Sequence, residues 1–397
     1  MVQKLLHTPE GVRDIYNEEC ERKLALEGKL RKVLNSYGYR DIETPTFEFF
    51  DVYSREVGTI PSRELYKFFD REGNTLVLRP DFTPSIARAA SKYFMKEEQP
   101  VRLCYLGNTF VNNSSYQGLL KENTQLGAEL IGDPSAEADA EILAMAVETL
   151  QKAGLRDFQI SVGHVQFFAS LAREANLDEN TVEELKQLIR NKNNFGVEQL
   201  LSEKEIRPNL KELFISLPSL FGGEEVLHRA LDLTAGMKAE EPLRRLLEVL
   251  DILKLYELDS YVSFDLGMLG NYMYYTGVIF RGYTYGVGDA VIKGGRYDNL
   301  LGHFGKEAPS IGFAAVLNQL MNALARQKIE ILSEQGRYLM LYRKADRKEA
   351  IRKASDYRRQ GKYVELRQVP EDWDGQMNDM SGRGPYIGVI QIGENRR

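Results

Sequence analysis

Residues 125–132 read QLGAELIG, with Leu126, Ala128 and Leu130 alternating against Gln125, Gly127 and Glu129. This is the period-two pattern of a strand with one apolar and one polar face. Gln125, Gly127 and Glu129 then share a side, and the glycine leaves space between an amide and a carboxylate. That face suits a small cationic group. Taken alone, it reads more readily as the wet side of a sheet, so the surrounding sequence must decide.

Upstream, Thr75–Arg79 and Val101–Gly107 are further β-rich stretches, and together with 125–132 they predict an antiparallel sheet. The segment LRPDFTPSIAR (78–88) sets Asp81 and Thr83 just after a strand, with Pro84 opening a short helical stretch, a place where side chains reach a cleft. In isolation, the same two residues would serve as a helix cap. Leu26, Leu30, Val33 and Tyr37 recur at helical spacing ahead of Gly38, predicting an amphipathic helix over about 18–37. Ile142, Leu143, Ala146, Val147 and Leu150 predict a second helix, stopped by Gly154.

A polar, helix-prone region over about 170–255 reads as an inserted subdomain. Strand signals resume over Val262–Tyr285 and pass through GGRYDNL to a helix expected from near Phe313, with Val316, Leu320 and Leu324 on its apolar side. The main domain is thus expected to span 1–326. Residues 327–397 read as a small α/β domain: strand 337–343, helix 346–360, strand 362–368 and strand 386–392.

The chain has 397 residues, 43% hydrophobic and 28% charged, the composition of a folded globular protein. Its 52 Lys and Arg against 58 Asp and Glu give a net charge of −6, so broad attraction to a phosphate backbone is not expected. Two distant cysteines, Cys20 and Cys104, and four scattered histidines exclude a zinc-ligand pattern and fit a reducing cytoplasm. No apolar run reaches the ~18 residues of a membrane span, and MVQKLLHTPEG lacks the apolar core of a signal peptide, so a cytoplasmic protein is predicted. Gly286-x-Gly288 has Val291 at the third glycine position and no βαβ unit around it, so no dinucleotide cofactor is expected. GGRYDNL is expected to be a tight turn that places Arg296 rather than an anion cup.

In their order, these segments resemble the histidyl-tRNA synthetases of the class II aminoacyl-tRNA synthetase family, over roughly residues 5–326. TPEGVRD (8–14) resembles the family's opening segment, and GYRDIETPTFE (38–48) resembles the motif that builds its dimer interface. LRPDFTPSIAR resembles its LRPEGT segment, and YLGNTFVNNSSYQGLLKENTQLGAELIG (105–132) resembles motif 2 with its loop. GDPSAEADAEILAMA (132–146), GGRYDNLLGHFG (294–305) and IGFAAVLNQL (311–320) complete the series. The resemblance implies an α+β fold: a synthetase-like antiparallel sheet flanked by helices, a helical insertion, and a C-terminal domain similar to a reduced anticodon-binding domain.

The departures from the family concern charge. Val111 follows Phe110 where the synthetases carry a phosphate-gripping arginine. MLGNYMYYTG (268–277) has Gly270 and Met273 where the family has an arginine and an aspartate, and Gln319 stands where the last motif carries its ATP-holding arginine. Fixed cations are the main means of stabilising a departing pyrophosphate, each worth roughly 10² to 10³ in rate, so no catalytic residue is assigned and no ligase activity is expected. The motif 2 loop is also neutral at Asn112, Asn113, Ser114, Ser115 and Tyr116.

Asp81, Thr83, Gln125 and Glu129 match the family's positions for the amino group of bound histidine, with Asp81 one methylene shorter than the usual glutamate. Tyr274 and Tyr275 match its paired tyrosines, which would add hydroxyls and ring faces around an imidazole. As neighbours in a strand, only one of them would line a pocket.

A histidine-shaped pocket without ATP machinery resembles the regulatory subunits of short-form ATP phosphoribosyltransferases. That resemblance implies a synthetase-like dimer within a hetero-oligomer, partnered by a catalytic subunit, with L-histidine as feedback effector and no tRNA role. The alternatives are a divergent histidyl-tRNA ligase using Arg88, Arg281 or Arg296 as substitute cations, and a sensor of uncharged tRNA. The sensor rests on ten basic against four acidic residues between Arg343 and Arg367, a pattern that also fits a solvated helix face.

Overall fold

A computed structural model describes residues 6–54, 60–94, 96–113, 120–202, 204, 206–270, 274–331, 336–373 and 386–393. Ser114, Ser115, Tyr116 and Met273 therefore lie outside the described residues. The chain divides into one compact unit of residues 1–14 and 27–330 and a second of 15–26 and 331–397.

Helix α1 (Asn17–Ser36) has residues up to Leu26 in the second unit and the rest in the first, where Leu30, Val33 and Leu34 are buried. Gly38, at φ 84°, turns the chain out of that helix, and only a residue without a Cβ adopts this freely. Short strands β1 (Arg40–Asp41), β2 (Phe47–Phe49), β3 (Lys67–Phe69) and β4 (Thr75–Leu78) follow. Next come helix α2 (Thr83–Tyr93), with proline in its first turn, and strands β5 (Val101–Phe110) and β6 (Glu122–Ile131).

Helix α3 (Ala136–Ala153) starts where the Ser135 hydroxyl caps the Ala138 N–H and ends at left-handed Gly154. Strand β7 (Phe158–His164) leads into the insertion, whose helices are α4 (Val165–Glu174), α5 (Glu179–Arg190), α6 (Asn194–Ser202) and α7 (Pro208–Ser216). Strand β8 (Phe221–Gly222) and helices α8 (Glu224–Leu233) and α9 (Glu240–Leu255) close it. The core resumes with β9 (Val262–Asp265), β10 (Val278–Thr284), β11 (Ile292–Arg296), β12 (Ser310–Val316) and helix α10 (Leu317–Arg326).

Among the described residues these strands form a nine-stranded sheet, ordered β1-β5-β6-β12-β11-β10-β7-β9-β8. Its centre is antiparallel as predicted, but β1 pairs parallel to β5 and β7 parallel to β9. Strands β2, β4 and β3 make a separate small antiparallel sheet.

Three local expectations are corrected. The helix expected from Phe313 begins at Leu317, because Ser310–Val316 hydrogen-bonds to β6 on one side and β11 on the other. A run such as IGFAAV shows no period that separates a doubly buried strand from a helix. The strand signals over Val262–Tyr285 resolve into β9 and β10, and Tyr274 and Tyr275, expected as neighbours in a strand, fall in the connection between them. Finally, Gly294, Gly295 and Arg296 lie within β11 rather than in a turn, the two glycines paired to both β10 and β12 and Arg296 to β12.

The second unit carries β13 (Arg337–Tyr342), α11 (Arg347–Arg359), β14 (Tyr363–Gln368) and β15 (Tyr386–Ile392). Its three strands are parallel, ordered β14-β13-β15, and Met340, Ala350, Ala354 and Ile392 form its small core. No described helix is long and apolar enough to cross a membrane.

Candidate functional site

In the first unit, β6, β12, β11, the start of α2 and the Tyr274–Tyr275 connection enclose a cavity of about 90 Å³. Asp81, Thr83, Gln125, Glu129, Tyr274 and Tyr275 all line it, although their positions in the chain differ by up to nearly two hundred. Both tyrosines line the cavity, where a strand would have allowed one, because the backbone at 274–275 is not in a ladder and does not alternate its side chains.

Glu129 is 0% exposed. One carboxylate oxygen, Oε1, accepts from Thr83 Oγ1 at 2.9 Å, and the other, Oε2, accepts a short hydrogen bond from the Tyr297 hydroxyl. Burial pushes its carboxyl up to about 8, with the nearby Asp81 adding to the shift and the two hydroxyls opposing it. Asp81 is also buried, and its Oδ2 accepts from the Tyr274 hydroxyl at 3.2 Å. Burial raises the Asp81 carboxyl as well, against the Tyr274 hydroxyl and the N–H groups of Thr83 and Phe82.

The Asp81 backbone is held in turn, since its carbonyl accepts from the Tyr53 hydroxyl at 2.7 Å. Gln125 presents a buried Oε1 with no hydrogen-bond partner among the described residues. A buried, unpaired acceptor costs free energy that a donor supplied by a ligand would recover.

The space expected at Gly127 is filled by the protein itself, since a Cβ there would collide with the Tyr105 phenol and the Phe313 carbonyl. Tyr105 stacks on Phe82 with ring centroids 4.3 Å apart. Gly312 does what Gly127 was expected to do: it lies opposite Glu129 in the ladder, where any Cβ would run into the carboxylate.

The sequence reading missed Tyr297 and Gly312. Tyr297 directly follows Arg296, so the strand's alternation sends their side chains to opposite faces. Its signal in the sequence is the tyrosine that follows the arginine in GGRYD. Arg296 leaves the cavity face entirely and meets the fully buried Asp139 of α3 through Nε at 2.8 Å and Nη2 at 2.7 Å. Arg245 of α9 binds the other Asp139 oxygen at 2.8 Å.

The cations proposed to rescue ligase chemistry are placed as follows. Arg296 is committed to Asp139, and Arg88 pairs with the buried Glu48 at 2.8 Å. Arg281 sits on β10 opposite Ser161 and Lys293 and is not among the residues lining the cavity. Lys293 is the single basic side chain among the described lining residues, and it pairs with Asp289 at 3.0 Å. The cavity therefore combines two buried carboxyls, an unpaired amide oxygen and aromatic walls. It fits a small ligand that brings its own positive charge and hydrogen-bond donors, and it lacks the cations that a triphosphate needs. Among the described residues no group of three or more His, Cys, Asp or Glu side chains is arranged to hold a metal ion.

Comparison with known proteins adds to this geometry. Residues 11–320 match the histidyl-tRNA synthetase family profile. The chain is 43% identical to the ATP phosphoribosyltransferase regulatory subunit of Acetivibrio thermocellus, covering 92% of this chain and 88% of that protein. It is 39% identical to the one from Ruminiclostridium cellulolyticum, covering 98% and 93%. A crystal structure described as an ATP phosphoribosyltransferase regulatory subunit/histidyl-tRNA synthetase from Bacillus halodurans superposes with a TM-score of 0.85 at 32% identity, covering 98% of both chains.

Proposed function

This chain belongs to the ATP phosphoribosyltransferase regulatory subunit family, built on the histidyl-tRNA synthetase domain, and from that premise we propose that it binds L-histidine and regulates a short-form ATP phosphoribosyltransferase. In this reading the chain is non-catalytic and cytoplasmic, is required for the activity of the catalytic subunit, and conveys feedback inhibition of the first step of histidine biosynthesis. Feedback requires that histidine bind two states of the assembly with different affinity, because a ligand shifts an equilibrium only by its differential binding.

The observation that carries the proposal is the charge of the cavity. Asp81 and Glu129 are both buried in it, and among the described lining residues the one cation is Lys293, itself paired with Asp289. Such a site suits an ammonium and a hydrogen-bonding ring, with Gln125 Oε1 as a further acceptor.

Self-association is supported by the small sheet. In β2 the inward residue is Glu48, tied to Arg88, while Phe47 and Phe49 face outward at 52% and 56% exposure, on the same face as Phe68 of β3, whose ring meets that of Phe47 edge to face with centroids 5.8 Å apart. Exposed aromatics on one sheet face favour coverage by another surface, here a second copy in a synthetase-like dimer.

The decisive experiment measures phosphoribosyl transfer to ATP by the short catalytic subunit of the same organism, with and without this chain, across a histidine titration. Activation by the chain that histidine reverses is the expected result. Histidine-dependent exchange between ATP and pyrophosphate by the chain alone would instead establish a ligase, and retention of uncharged tRNA at low salt would establish a sensor.

A further inference from the structure

The cavity contains more negative charge than a protein interior accepts without compensation. Glu129 and Asp81 are both buried, and the influences acting on Glu129 include no basic side chain. The side chains that act on Glu129 are neutral or acidic. Thr83 and Asp81 come from the start of α2 and the residues before it, Tyr297 from the end of β11, Tyr274 from the connection before β10, and Tyr105 from β5. Tyr39 also senses the charge of Glu129, and β12 offers Gly312. Lys293 lines the cavity but is paired with Asp289. Arg79, two residues before Asp81, spends its guanidinium on the carbonyls of Thr44, Pro45 and Asn108.

Two carboxyls that share a dry site without a counterion cannot both ionise, and the one with more donors ionises first. Asp81 receives the Tyr274 hydroxyl and the N–H groups of Phe82 and Thr83, whereas Glu129 receives two hydroxyls. Glu129 is therefore the carboxyl that keeps a proton while the pocket is empty.

We propose that ligand binding in this pocket is a proton exchange: the ligand's positive charge enters as the Glu129 carboxyl gives its proton to solvent. The inference rests on the histidine-binding reading above and adds to it a built-in dependence of the effector's affinity on pH. The balance is simple. The O–H bond of the Glu129 carboxyl breaks, the proton goes to buffer, and the resulting carboxylate faces the ligand's cation, so the charge of the site is conserved. Affinity then rises with pH across the range in which the empty pocket is still protonated.

The test is calorimetric titration of the full chain with L-histidine at pH 7 in phosphate and in Tris, whose ionisation enthalpies differ. The slope of observed heat against ionisation enthalpy counts the protons transferred. With the Glu129 carboxyl near 8, close to one proton is expected to leave per histidine bound, and Kd is expected to fall about fivefold from pH 7 to pH 8. In Glu129→Gln, residual binding should proceed without proton release; if that variant binds too weakly to measure, the wild-type pH dependence decides. Binding with no proton release and a pH-independent Kd would overturn the exchange while leaving the histidine reading intact. Absence of any binding would overturn both.

Discussion

Replacing Glu129 by glutamine separates charge from shape at the centre of the cavity. The amide preserves volume, can still accept from Thr83 Oγ1 and can donate to the Tyr297 oxygen, so the packing around Gly312 is retained. The consequence for stability follows from proton linkage. The folded-state carboxyl is raised to about 8 from an ordinary value near 4.3, so the native protein binds this proton more tightly than the unfolded chain does. The corresponding stabilisation is fully present below about pH 4, and it is lost as pH rises toward 8. Each pH unit in that window removes about 1.4 kcal/mol from the wild type and nothing from the variant at this position.

Urea unfolding at pH 6, 7 and 8 reads the difference directly. The stability of Glu129→Gln relative to wild type should climb by about 1.3 kcal/mol from pH 6 to 7 and about 1 kcal/mol from pH 7 to 8, while its affinity for histidine falls by about 1 to 3 kcal/mol through loss of a charge-assisted hydrogen bond. Parallel wild-type and variant stability curves would refute the claim that Glu129 carries a proton in the empty native state. Unchanged histidine affinity would move the effector site elsewhere.

Four further outcomes follow from the same geometry. Tyr297→Phe removes one of the two donors to Glu129 and should weaken histidine binding by about 1 to 3 kcal/mol, read by titration calorimetry, with little change in circular dichroism. Gly312→Ala drives a methyl into the Glu129 carboxylate and the Ala128 carbonyl, and should lower stability by about 1 to 3 kcal/mol and abolish histidine binding, checked by urea unfolding and equilibrium dialysis. Arg296→Met leaves the fully buried Asp139 with Arg245 as its remaining partner and should cost about 3 to 5 kcal/mol in urea unfolding at neutral pH. Phe47→Asp combined with Phe49→Asp places two charges on the exposed face of the small sheet, and sedimentation should show the proposed dimer converted to monomer, with the proposed histidine binding retained.

Much of this protein was legible in its sequence. The strand at QLGAELIG, the helices ending at Gly38 and Gly154, the helical insertion and the α/β tail follow from periodicity and from residues that stop helices, which are local properties of the chain. The arginine departures at Val111, Gly270 and Gln319 were equally readable, because a missing side chain needs no structure to be seen. Where periodicity has no contrast it failed: Phe313–Val316 is apolar on both faces, so the boundary between β12 and α10 was decided by two flanking ladders. Tertiary structure alone decided that Tyr105 fills the gap at Gly127, that Gly312 rather than Gly127 clears room for Glu129, and that Arg296 turns away to Asp139. It also decided the ionisation of Glu129, whose chemistry in the sequence is that of any glutamate. Desolvation and the absence of a counterion are sums over neighbours far apart in the chain, here Asp81, Thr83, Tyr274 and Tyr297, and those sums exist only once the strands have come together.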